Sequence, residues 1–228
     1  MKHSRLTALL TGSALLFGAA TFAMADDTKK DKKHDKAADT TDTKEKRVKV
    51  GEQVPNFSMT DVNGKTMQFS DFSGKTVVME WVNPGCPVCV GVTKAGLVTK
   101  MIADAKAIDP NVVFVMVNST AATANDPKAT ATYLAENKVV ANAEVIDGSG
   151  VIGKMFDAKT MPAVYVIDSK GTLVYSGAFD DSSDRGSTPG KTNYVINALT
   201  QLKAGEKVSP DKTKSYGCGV KYAKSQNG

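Results

Sequence analysis

Three short runs of apolar and β-branched residues, Thr76-Val-Val-Met-Glu-Trp-Val82, Val112-Val-Phe-Val-Met-Val117 and Ala163-Val-Tyr-Val-Ile167, constrain the fold more than any other feature of the chain. None alternates apolar with polar residues, so each reads as a strand covered on both faces. A sheet of that kind needs layers above and below it. The intervening segments supply them. Leu97, Val98, Met101, Ile102 and Ala105 recur at helical spacing and Asp109-Pro110 closes that segment. Pro127 to Lys138 reads as a second helix, and Tyr194, Leu199 and Leu202 mark a last one with Gly205 placed to cap it. Residues 57–61 and 66–69 flank Asn63-Gly64, the signal of a two-residue hairpin turn, and 168–171 turn the third run into a further strand over 172–176. The order ββ-β-α-β-α-β-β-α predicts an α/β sandwich around a mixed sheet.

The N-terminus reads as an address. Lys2 and Arg5 precede an apolar run from Leu6 through Phe22 that closes with Ala23-Met24-Ala25, the pattern of a secretory signal peptide cleaved after Ala25. Thr7, Thr11, Gly12, Ser13 and Gly18 break the run, which ends at the length of a signal core rather than of a bilayer span. Residues 26–49 alternate Asp and Lys with Ala and Thr and read as a disordered charged linker. The expected organisation is a signal peptide over 1–25, the linker over 26–49, one domain over 50–205 and a C-terminal tail over 206–228. The formal net charge of +5 includes Lys2 and Arg5, which leave with the leader, and the remainder is of mixed sign, so no nucleic-acid partner is expected. Stable membrane insertion after cleavage is not expected either, because no later segment is apolar enough to span a bilayer. The expected location is secreted or periplasmic.

Two of the three cysteines lie in Asn83-Pro-Gly-Cys86-Pro-Val-Cys89, directly after the first apolar run. With Pro87 at the first helical position, where its missing N–H costs nothing, Cys86 becomes the N-cap and Cys89 lies one turn inside. Residues three apart on a helix face each other, so the two sulfurs can pair with little movement. The helix end presents free N–H groups and about half a positive charge, which favours a Cys86 thiolate, the attacking form. Two buried core thiols are one alternative. A structural disulfide is another, although so short a loop gains little from closure. A metal site lacks ligands, because the two histidines are His3 and His34 and a closed tetrahedral zinc site needs four donors. The same absence removes a Cys-His nucleophile pair. Neither metal nor cofactor is expected.

Val54-Pro-Asn-Phe57, Asn63-Gly-Lys65, Phe72-Ser-Gly-Lys75 and the strand-CxxC-helix order resemble the thioredoxin-like redoxin family, which includes peroxiredoxins and periplasmic thiol-disulfide oxidoreductases. The likeness covers residues 50–205, and Tyr216-Gly-Cys-Gly-Val-Lys-Tyr222 resembles the tail of a subgroup of secreted bacterial members. The resemblance implies a thioredoxin-like three-layer α/β/α sandwich with a mixed sheet and an N-terminal β-hairpin. It implies a cis Met161-Pro162 bond beside the CxxC, with Pro162 orienting an incoming peptide. It also implies that Glu80, six residues before Cys86, is a buried acid on the strand beneath the site. Desolvation raises the pKa of such a carboxyl, which makes it a proton acceptor for Cys89. Peroxiredoxins carry Thr or Ser three residues before the attacking cysteine and Pro seven before, where this chain has Asn83 and Met79. Copper chaperones of related fold use CxxxC with a distal His, and this chain has neither.

The expected function is therefore a thiol-disulfide oxidoreductase in which Cys86 attacks a disulfide, a mixed disulfide forms, and Cys89 resolves it. Its partners would be protein thiols or disulfides, or a redox partner protein. The alternatives are an atypical thiol peroxidase using Cys86 with Cys89 or Cys218, and a binding module with a structural disulfide. Cys218, left over once Cys86 and Cys89 pair, admits two readings. It is a free thiol buried in the folded tail among Tyr216, Val220 and Tyr222, or a second resolving thiol for Cys86 that the glycines on either side allow to approach.

Overall fold

The computed structural model describes residues 47–224. The expected signal peptide and residues 26–46 of the expected linker lie outside the described residues. In chain order the elements are β1 (Ser58–Thr60), β2 (Thr66–Gln68), a 3-10 turn (Phe69–Phe72), β3 (Val77–Trp81), α1 (Pro87–Lys94) and α2 (Leu97–Ile108). There follow β4 (Val113–Asn118), α3 (Ala121–Ala124), α4 (Pro127–Glu136), β5 (Ala143–Ile146) and α5 (Val151–Met155). The chain ends through β6 (Thr160–Met161), β7 (Ala163–Ile167), β8 (Leu173–Gly177), α6 (Tyr194–Lys203) and β9 (Cys218–Gly219).

Five strands form the central sheet in the order β5-β4-β3-β7-β8. β3 runs parallel to β4 and antiparallel to β7, so the sheet is mixed. The three apolar runs become β3, β4 and β7, every residue of which is buried. One face carries Val78, Phe114, Met116, Val164 and Val166 against Val92 of α1, Val98, Met101 and Ile102 of α2, Leu134 of α4 and Val195 and Leu199 of α6. The other carries Met79, Trp81, Val115 and Tyr165 against Phe57, Met59 and Phe69 of the hairpin region and Ile152 of α5. This is the three-layer mixed-sheet architecture that the resemblance implied, with the hairpin present as a separate two-stranded sheet.

Three local features differ from expectation. The hairpin register pairs Thr60 with Thr66, so five residues rather than two form the turn. Asp61 sets its length, because Oδ1 accepts from the N–H groups of Asn63 at 2.9 Å and Lys65 at 2.8 Å, an Asx-type closure that outcompetes the tight Asn-Gly turn. Strand β5 carries no long apolar run: Ala143 and Val145 are buried while Glu144 and Ile146 are half-buried, the pattern of an edge strand. Between α1 and α2 the chain breaks at Gly96, whose φ of 75° is left-handed, so two helices stand where one periodic segment was read.

The tail is part of the folded body. Val48 near the start of the described chain and Val208 just beyond α6 are both buried. After α6, residues 211–213 lie along β8, with the Ser176 N–H donating to Asp211 O at 3.1 Å and the Thr213 N–H to Ser176 O at 3.2 Å. Further on, the Val220 N–H donates to Lys159 O at 2.9 Å, the Ala121 N–H to Lys221 O at 2.8 Å, and the Tyr222 hydroxyl to Ala158 O at 2.5 Å. Tyr222 lies over Gly150 and Gly153, where any side chain would collide with its ring. A Cβ at position 153 would stand 2.5 Å from the Tyr222 hydroxyl and 2.8 Å from Ser119 Oγ. Gly153→Ala should therefore lose stability despite a helix-propensity gain of up to ~1 kcal/mol, and amide exchange at 220–222 should quicken. Unchanged exchange in a variant at least as stable as the parent would show that this ring does not hold the tail.

Candidate active site

The loop after β3 aims α1. Asn83 Oδ1 accepts from the Gly85 N–H at 2.8 Å and from the Thr123 hydroxyl at 3.1 Å, and Asn83 O accepts from the Cys86 N–H at 3.0 Å. These bonds fold residues 83–86 into a turn that ends with Cys86 at the N-cap and Pro87 at the first helical position, as the Cys-Pro-Val-Cys order predicts. Cys86 Sγ accepts from the Cys89 N–H at 3.4 Å, so the sulfur takes the place of a capping oxygen at the positive end of the helix. Both Cys86 and Cys89 are only 1% exposed.

A second backbone segment closes over them. The Met161-Pro162 bond is cis, and Met161 O lies 3.6 Å from Cys86 Sγ. Met161 is also the end of β6, which pairs antiparallel with β9 so that Met161 stands opposite Cys218 and Thr160 opposite Gly219. Gly217 makes the approach possible, since a Cβ there would fall within contact of Met161 O and its φ of 124° suits glycine alone. Arg185 Nη2 donates to Gly217 O at 2.9 Å, Tyr216 donates to Asp180 Oδ1, and Thr160 and Ser215 share a hydroxyl hydrogen bond.

The consequence is a disulfide between Cys86 and Cys218, with Cα atoms 6.1 Å apart and 132 residues between them in sequence. Cys89 is a free, buried thiol. The expected Cys86–Cys89 pairing is thus not the one formed, and the reading of Cys218 as a free thiol in the tail is overturned. The reason is backbone geometry: the β6–β9 ladder places the Cys218 Cα within ordinary disulfide range of Cys86. Sequence reasoning also missed Arg185 as a tail clamp, because a carbonyl contact across 32 residues leaves no local signal.

Glu80 lies in β3, next to its last residue, between Met116 and Val164 on the flanking strands, and is 1% exposed. Its Oε2 has no hydrogen-bond partner among the described residues. Burial alone pushes its pKa up to about 8. Burial likewise drives the Cys89 thiol far upward; a hydrogen bond from the Asn83 backbone opposes this, and the Glu80 charge adds to it. Tyr133 closes the inner side, donating to Cys89 O at 3.0 Å and pairing with Thr93 Oγ1 at 2.6 Å. Among the described residues no cluster of His, Cys, Asp and Glu could hold a metal ion.

With this geometry in view, the Redoxin family profile matches residues 49–196, well over half of the chain. The chain belongs to the Redoxin family. Among curated proteins it is similar to the thiol-disulfide oxidoreductase ResA of Bacillus thuringiensis subsp. konkukian, 38% identical over 47 residues, which is 21% of this chain and 27% of that protein. The match therefore spans about a quarter of that relative's length. Among solved structures, an uncharacterized conserved protein from Geobacillus kaustophilus superposes with a TM-score of 0.67 at 26% identity, covering 78% of this chain and 94% of its own. A hypothetical protein from Sinorhizobium meliloti 1021 gives a TM-score of 0.65 at 21% identity over 78% and 97% of the two chains, a likeness of fold.

Two expected outcomes follow from this Redoxin site. In the folded protein Glu80 keeps its proton to about pH 8, against 4.5 for an unperturbed carboxyl, so the folded state binds more protons across that window. Its contribution to stability should fall as pH rises from ~4.5 to ~8 and then level off. Urea unfolding at a series of pH values should show this slope in the parent and lose it in Glu80→Gln; an equal slope in both would place the titration elsewhere. In the fully reduced protein, alkylation near neutral pH should modify Cys86 faster than Cys89, because Cys86 occupies the helix end and Cys89 is desolvated. Equal rates would contradict the helix-end activation.

Proposed function

We propose that this protein is a secreted or periplasmic thiol-disulfide oxidoreductase that exchanges disulfides through Cys86. The observation that carries the reading is a sulfur at a helix N-terminus, beside a cis proline, already joined to a second cysteine of its own chain. In the reduced protein the Cys86 thiolate attacks a partner disulfide, forming a mixed disulfide and releasing one partner sulfur as a thiolate. A second protein thiol then attacks Cys86 Sγ, releases the other partner sulfur and leaves a protein disulfide. Cys218 is the resolving thiol that yields the bond present here, and Cys89 is the inner thiol able to do the same. Glu80, in its ionised form, which gains weight as pH approaches about 8, accepts the Cys89 proton, and Pro162 orients the partner backbone. The partners are protein thiols or disulfides, or a redox partner protein. The leader-like residues 1–25 and the ending Tyr216-Gly-Cys-Gly-Val-Lys-Tyr222 support the secreted bacterial subgroup.

Two other readings have specific support. A thiol peroxidase whose Cys86 sulfenic acid condenses with Cys218 would end in this same disulfide, although Asn83 and Met79 stand where peroxiredoxins place their activating residues. A binding module would gain from the bond as a staple, since closing a loop of 132 residues is worth about 5 kcal/mol in the chain-entropy account. Insulin reduction with dithiothreitol, run beside hydrogen peroxide consumption, separates the three. The expected outcome is insulin turnover well above peroxide turnover, reduced to background in Cys86→Ser. Rapid saturable peroxide consumption would favour the peroxidase, and silence in both assays the binding module. Oxidised Cys89→Ser should still carry the Cys86–Cys218 bond within a monomer, and intermolecular dimers alone would remove Cys218 from the mechanism.

A further inference from the structure

The Cys86–Cys218 bond offers an attacking thiol two sulfurs, and they are not equivalent. Cys86 is 1% exposed, with Met161 O 3.6 Å and the Cys89 nitrogen 3.4 Å from its sulfur. Cys218 is half-buried. It borders an open cleft of about 370 Å³ between Pro87, Val88 and Gly91 of α1 and the loop over residues 184–187, and Cys86 does not border that cleft. The β6 edge beside Cys86, where an extended polypeptide would add a strand, is occupied by β9. Arg185 holds Gly217 just before Cys218, and the Val220 N–H binds Lys159 O just after it. In the disulfide-bonded protein strand addition beside Cys86 is blocked, while the cleft leaves Cys218 within reach of a small molecule.

We infer that the oxidised protein is reduced by a low-molecular-weight monothiol that enters this cleft and attacks Cys218 rather than Cys86. The inference rests on the disulfide exchange proposed above, and adds to it the class of reductant and the sulfur attacked. The incoming thiolate forms a bond to Cys218 Sγ as the Cys86–Cys218 bond breaks, and the electron pair departs on Cys86 Sγ. Cys86 is the favoured leaving sulfur because it departs as a thiolate into the N-terminus of α1, where the Cys89 N–H already points at it. A second molecule of the monothiol attacks the external sulfur of the adduct. It leaves as the small-molecule disulfide, and Cys218 departs as a thiolate that takes a proton from water. Two monothiols are oxidised and one protein disulfide is reduced.

The test maps the first adduct. Oxidised Cys89→Ser protein, in which no third thiol can rearrange the product, is mixed with one equivalent of glutathione. The reaction is quenched early with acid, and free thiols are alkylated before peptide mapping. Glutathione on the Cys218 peptide with alkylated Cys86 is the expected result. Glutathione on Cys86 overturns the inference and leaves the proposed function standing. A starting protein with no Cys86–Cys218 disulfide overturns the inference and removes Cys218 from the proposed mechanism, while insulin turnover separately decides the oxidoreductase reading. A second variant keeps Cys89 in place. Gly91 borders the cleft and has nothing within 4 Å of where its Cβ would be, so the first atom of a Phe side chain fits there and Gly91→Phe directs a ring toward the cleft. Relative to the parent, its rate of reduction by glutathione should fall about tenfold against its rate with the smaller 2-mercaptoethanol, the equivalent of ~1.4 kcal/mol on the barrier. An unchanged ratio overturns the cleft as the route.

Discussion

The antiparallel pairing of Met161 with Cys218 is the contact on which the site depends. It brings the only cysteine outside the CxxC to the sulfur at the N-terminus of α1, and it fills the strand edge beside the cis proline with the chain's own backbone. A two-residue ladder cannot hold by itself. The tail is anchored along its length instead, through Thr213 to Tyr175, Arg185 to Gly217, Lys159 to Val220 and Ala158 to Tyr222. Each such bond contributes ~1 kcal/mol, and together they hold Cys218 opposite Met161 in the disulfide-bonded protein. The glycines at 150, 153, 177 and 217 are the counterpart, since each leaves room that a tail atom or the Met161 carbonyl takes up.

Beneath this contact lies a carboxyl that the core does not satisfy. Glu80 interrupts the apolar β3, has an oxygen without a hydrogen-bond partner among the described residues, and is held protonated by desolvation. Burying such a group costs stability, and a residue that breaks the pattern of its own strand points to a role in chemistry rather than packing. Its charge raises the Cys89 thiol pKa further, so the two groups cannot comfortably ionise together.

Much of the fold was legible because its central strands are buried on both faces, which shows in sequence as unbroken apolar runs in β3, β4 and β7. Elements at the margin were not. β5 is a four-residue edge strand carrying a glutamate, and β6 and β9 are two residues each, too short for any periodicity. The hairpin turn was misjudged in length because Asp61, outside the Asn-Gly pair, closes it. The N-cap at Cys86 was readable from Pro87 alone, since capping is decided within one turn.

What the sequence by itself determined is local. It settled the layered α/β class, the helix that starts at Pro87 and the sulfur at its end, whereas the burial of Glu80 was only implied by the family resemblance until the structure showed it. Each of those three settled features follows from residues within a few positions of one another, where periodicity, φ restriction and capping act. Which sulfur Cys86 joins was decided by the tertiary structure alone. Cys89 is three residues away and Cys218 is 132, yet the distant one is bonded. Loop closure depends only weakly on length once the fold has brought the ends together, so sequence spacing carries no information about a pairing set by one short ladder between β6 and β9.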